Sequence, residues 1–233
     1  MMSFTRANTA VGAEDASTGA AAERTRAQIA GAMLIASPIF WLVGALVFFN
    51  TLGPFYSPGD AVTKLNGIAG QRVAWIVQSV LFFAGALSAS IGLILLARLL
   101  RQVAPALARA GAIAAAASAT TNAVFLVIRL AAPLDGVRDA SEIPTLLLDM
   151  HRFGTNAPWL GAAVLLFKVA AVGLLAVGLY VGGRARLTGV LVALLSGALL
   201  IAILAGGPLP PVTVYPICAI LGVRLVFWRV TGP

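Results

Sequence analysis

Charge is what this chain has least of. Asp, Glu, Lys and Arg together make up 10 % of its 233 residues, and only eight of them are acidic. Soluble domains carry roughly a quarter charged residues, so the polar coat of a water-exposed fold is missing. Cysteine and histidine are nearly absent too: Cys218 is the single cysteine and His151 the single histidine. One cysteine excludes an internal disulfide. Together the two supply neither a zinc tetrahedron nor a haem or iron–sulfur ligand set. Glu142, Asp149 and His151 share one loop, but their spacing matches no recognised metal site, and no metal or cofactor is expected. Catalytic signatures are lacking as well. There is no GxSxG, no HExxH, no P-loop and no glycine-rich dinucleotide fingerprint, which leans against an enzyme.

Apolar residues fill the space, at 60 % of the chain and a mean hydropathy of +0.98. Six runs have the roughly 20 residues a helix needs to cross the hydrocarbon core: 29–50, 73–97, 110–132, 158–182, 187–206 and 211–228. The last is short and begins with prolines. A backbone in lipid must satisfy its own hydrogen bonds, and long runs without strict alternation mean helices rather than a barrel. The expected fold is all-α: a polytopic membrane protein with six transmembrane helices in three hairpins, forming one domain over 29–233. Residues 1–28, rich in Ala, Thr, Ser and Glu, read as a disordered cytoplasmic tail. That tail is too long and too polar for the start of a cleaved signal peptide.

Basic residues set the orientation. The tail, 98–109, 183–186 and the C-terminus hold ten arginines: Arg6, Arg24, Arg26, Arg98, Arg101, Arg109, Arg184, Arg186, Arg224 and Arg229. The opposite side holds Lys64, Arg72, Arg138 and Arg152 beside five acids, Asp60, Asp135, Asp139, Glu142 and Asp149. Ten against four in short loops places both termini in the cytoplasm. The net charge of +8 is thus a topology signal, and nucleic acid is not an expected partner. The bilayer is, and the basic rim suits anionic headgroups. The general look is that of a compact bacterial protein of the inner (plasma) membrane. In the two long outer loops, Ser141 to Arg152 suggests an interfacial helix, with a smaller counterpart after Asp60.

A faint internal repeat runs at a shift of 84 residues. It matches Ile29, Leu42 and Leu46 with Ile113, Leu126 and Leu130, and Trp75 and Phe83 with Trp159 and Phe167. Both copies would start from the cytoplasm, making them parallel repeats. In this register Lys168 takes the place of Ala84.

Lys168 is the most informative residue. It is one of two lysines against fourteen arginines and lies eleven positions into the run that starts at Pro158. An ionisable group at mid-membrane depth is costly, and by default it marks a functional site. At about 1.5 Å rise per residue, Ser118, Thr121 and Asn122 fall at similar depth, as do Ser88, Ser90 and Ser196. These define a candidate intramembrane polar site; the bland alternative is a lysine that snorkels or bonds locally. Arg129 falls near the outer end of its helix, where Asp135, Asp149 and His151 form a candidate outer-interface group. Trp75, Trp159 and Trp228 read as interfacial tryptophans, and Cys218 as a small packing residue. Small residues at helical spacing, Gly85 and Ala89, Ser88 and Gly92, then Gly189, Ala193 and Gly197, read as helix-packing seams.

Three function classes remain. The first is a membrane-embedded binding or assembly protein, a subunit of a larger complex or a homo-oligomer. The second is a small-solute or ion transporter with Lys168 and Asn122 lining its path. The third is a membrane enzyme acting at the outer headgroup region.

Overall fold

The computed structural model describes residues 4–47, 50, 61–131, 138, 158–205 and 211–228. Among them every regular element is helical. The order is α1 (Phe4–Val47), α2 (Ala61–Gly70), α3 (Arg72–Leu100), α4 (Pro105–Leu130), α5 (Pro158–Val181) and α6 (Arg186–Leu204). A 3-10 turn, Pro211–Val214, then leads into α7 (Tyr215–Val226).

Four helical stretches are long and apolar enough to cross a membrane: Gly19–Val47, Arg72–Leu100, Pro105–Leu130 and Arg186–Leu204. Two shorter apolar stretches, Leu165–Val181 and Tyr215–Val226, accompany them. The exposure pattern belongs to lipid rather than water. The apolar window of α6 has a mean hydropathy of 2.6, yet only 22 % of it is buried. Leu187, Leu194, Ile201 and Leu204 stand outward on that helix. In water this face would be a large apolar patch.

The helices pack in a closed sequence. α1 lies along α3 and α7, α3 against α4, α4 against α5, and α5 against α6, while α7 meets α6 and the 3-10 turn meets α5. Local chemistry sets the breaks. After α3, Val103 and Ala104 both donate backbone bonds to the Leu100 carbonyl, and Pro105 opens α4, where a missing N–H costs nothing. After α5, Gly183 turns left-handed at φ 69° and bonds back to Tyr180, the usual helix-ending use of glycine.

Small residues let the helices touch. A methyl group on Gly85 would come 2.9 Å from the Ser37 carbonyl oxygen, and one on Gly189 would come 2.7 Å from that of Ala176. The α3–α1 and α6–α5 contacts therefore run through the expected seams. Gly197 does not join them: no atom lies within 4 Å of its Cβ position. The tightest crossing, α1 with α7, was not anticipated. A Cβ on Gly31 would approach the Gly222 oxygen to 2.6 Å.

The N-terminal segment differs from its expected reading. α1 begins at Phe4 and runs unbroken through residue 28, so no helix boundary falls at 29. Alanine-rich sequence without an interior proline before Pro38 has high helix propensity. The segment is also tied down: Glu23 pairs with Arg184 in the α5–α6 turn, and Ala27 is fully buried. α2 supplies the short helix suggested after Asp60. The second outer-loop helix, at 141–152, lies outside the described residues.

Candidate functional site

α5 brings Lys168 into the protein interior, where it is 1 % exposed. Its amine donates a hydrogen bond of 3.2 Å to the hydroxyl of Tyr215, the first residue of α7. The nitrogen also lies 4.7 Å from the Tyr215 ring centroid. A neutral hydroxyl and a π-face thus take the role a carboxylate would otherwise fill. Tyr215 can be there because the 3-10 turn at Pro211–Val214 sets the start of α7 beside α5. Cys218, one turn further along α7, is fully buried, as expected of a packing residue.

Tyr215 does not end the cluster. Its ring lies 5.9 Å from Trp41 on α1, and Trp41 stacks on Phe82 of α3 at 5.6 Å with planes 10° apart. Phe82 in turn lies 5.9 Å from the guanidinium carbon of Arg129 on α4. One aromatic column therefore links the two buried cations through five helices.

Arg129 terminates that column. It is 8 % exposed, and its guanidinium lies 3.8 Å from the Trp75 ring centroid. Nε donates to the Ser79 hydroxyl at 3.0 Å, and a terminal nitrogen donates to the Gln78 amide oxygen at 2.7 Å. The bond is returned across the same interface: the Trp75 indole N–H donates to the Arg129 carbonyl at 2.9 Å, while within α3 the Ser79 hydroxyl donates to the Trp75 carbonyl at 2.7 Å. A planar fork suits this use, since one side chain holds two acceptors and stacks on a ring.

The remaining expected members of the inner site are engaged elsewhere. Asn122 donates to the Ser118 carbonyl on its own helix at 2.7 Å, and Thr121 to the Ala117 carbonyl at 2.8 Å. Ser88 donates to the Met33 carbonyl at 2.8 Å, which makes it an α3–α1 strut. The Ser90 and Ser196 hydroxyls are buried without a partner. Lys168 is therefore served by Tyr215, not by the amide and hydroxyls at its sequence-inferred depth. Helical depth fixes height but not azimuth, and none of these side chains bonds to the Lys168 amine.

Of the expected outer group only Arg129 is described; Asp135, Asp149 and His151 lie outside the described residues. Arg129 turns onto α3. Trp75 is likewise fully buried beneath it and not an exposed interfacial ring. Trp228 is 3 % exposed, 5.7 Å from the Arg184 guanidinium, because the long α1 covers that end of the bundle. Sequence reasoning missed Tyr215, Trp41, Phe82, Gln78 and Ser79. The available signal was a scarcity: aromatic residues are 8 % of the chain, so those within spans repay attention.

Described residues line two of the surface cavities. One, of about 770 Å³, lies between residues 20–25 of α1 and Val226–Trp228; the other, of about 300 Å³, lies at the α3–α4 turn. Neither reaches Lys168. No group of three or more His, Cys, Asp or Glu residues able to hold a metal occurs among the described residues. The chain matches no protein-family model, no curated protein and no solved structure.

Proposed function

We propose that this chain is a multi-pass protein of the plasma membrane, with six spans and both termini in the cytoplasm. We propose further that it works as a membrane-embedded binding or assembly component rather than as a carrier. The observation that carries this reading is the sealing of Lys168, which is 1 % exposed and held by the Tyr215 hydroxyl and ring. A transport site has to meet water and substrate in turn. A lysine satisfied by a tyrosine, and joined through stacked rings to a second buried cation, is built to hold helices in register. Asn122, the other residue of the transport alternative, bonds within its own helix. The outward apolar face of α6, with open space at Gly197, suits packing against another copy or another membrane subunit.

The ten-to-four distribution of basic loop residues supports the topology. A reporter active only in the cytoplasm should work when fused after Gly232 and be silent when inserted at Gly136; the opposite pattern refutes the orientation. The functional reading is tested in proteoliposomes loaded with a pH- or anion-sensitive dye. The wild type and Lys168→Met should both show the leak of protein-free vesicles. Flux that appears with the wild type and vanishes with Lys168→Met would establish a carrier instead.

A further inference from the structure

The cavity of about 300 Å³ at the α3–α4 turn is an open surface depression. Arg98, Arg101 and Arg109 line it, together with Ile94, Ala97 and Ala112. All three arginines are exposed, and among the described residues none of them forms an ion pair. No acidic residue occurs anywhere from 61 to 134. The neighbouring backbone adds to the same field. No side chain caps α4, and its first turn contains no acid, so the positive end of its dipole faces only the C-terminal end of α3 across the turn.

The cavity is two-faced. Ile94 lies one helical turn below Arg98 on α3, and Ala112 almost one turn beyond Arg109 on α4, so a basic rim opens onto an apolar groove between two long apolar helices. A free inorganic anion would use the rim and leave the groove empty, and a nucleic acid would have no use for the groove. The complementary ligand is anionic at one end and hydrocarbon at the other.

We propose that this cavity binds an anionic glycerophospholipid. Its phosphodiester is held by Arg98, Arg101 and Arg109, and its first acyl segments lie along Ile94, Ala97 and Ala112. The proposal rests on α3 and α4 lying in a bilayer but not on the assembly reading, so either can fail alone.

The test is native mass spectrometry of the full chain in detergent with added phosphatidylglycerol or phosphatidylcholine. Phosphatidylglycerol should bind in preference. Each arginine near an anionic headgroup is worth about fivefold in affinity. Arg98→Gln/Arg109→Gln should therefore weaken phosphatidylglycerol binding about 25-fold, while Arg98→Lys/Arg109→Lys should retain most of it. Arg26→Gln/Arg186→Gln, which removes two exposed arginines elsewhere, should change nothing. The single variant Arg101→Gln should still show about a fivefold loss should the double variant not fold. Equal binding of phosphatidylcholine overturns the proposal, and so does an equal loss in the Arg26/Arg186 control. Displacement of the lipid by soluble glycerol phosphate at matching concentration would make the cavity a free-anion site and overturns it too.

Discussion

Lys168 donates to a neutral oxygen rather than to a carboxylate, and that makes its neighbourhood asymmetric toward substitution. Replacing the lysine by an apolar side chain of similar length removes the cost of burying an amine. Buried ionic groups exchanged for well-packed apolar ones are often neutral or stabilising. Removing the tyrosine hydroxyl leaves the amine in place without its acceptor, a loss of about 1–3 kcal/mol. Thermal unfolding in detergent should therefore show Tyr215→Phe clearly destabilised, Lys168→Met at or above the wild type, and the double variant close to Lys168→Met. A larger loss from Lys168→Met than from Tyr215→Phe would mean that the amine stabilises the fold on its own account. The lysine itself was legible in the sequence, because a rare residue type stood inside an apolar run. Its partner was not: Tyr215 is 47 residues away, at the start of the least certain span. Arg129 shows the same limit. Its place at the end of its helix was legible, its bonds to Gln78 and Ser79 of the preceding long helix were not, and the acids that follow it lie outside the described residues.

Among the helices, the contacts that matter most are those where backbones nearly meet. Gly31 and Gly222 form the closest described crossing, with each glycine's missing side chain filled by the other helix. A side chain at either position must push α1 from α7, and overpacking of this kind costs about 1–3 kcal/mol or more. Gly222→Val is accordingly expected to lower the melting temperature strongly, while Gly197→Val, with open space at its Cβ, should leave it unchanged. Comparable losses at both positions would show that valine acts through helix propensity rather than through packing. The seams at Gly85 and Gly189 were readable from spacing alone. The Gly31–Gly222 contact was not, because it joins the first long helix to the last. The extent of α1 was misread for a different reason. Composition alone cannot distinguish an alanine-rich free tail from an alanine-rich helix, and what ties this one down, Glu23 on Arg184, is a contact across 161 residues.

For the whole molecule, the class was plain from composition: a chain with so few charges and such long apolar runs has to be helical and lipid-facing. Four of its helical stretches are long and apolar enough to span a membrane. What composition could not supply was the interior, where an aromatic column joins α5, α7, α1, α3 and α4 and where Lys168, 1 % exposed, is proposed to sit in a dry core. That dryness is the central claim, and Cys218 is a built-in reporter of it. It is the single cysteine of the chain, fully buried and one turn from Tyr215. The decisive measurement is labelling of the unmodified protein in sealed vesicles of both orientations with a membrane-impermeant, positively charged methanethiosulfonate, read by mass spectrometry. A sealed core predicts no adduct from either side and complete modification after denaturation. Rapid modification of the folded protein from either side would reveal a water path to the Lys168 region and contradict the account.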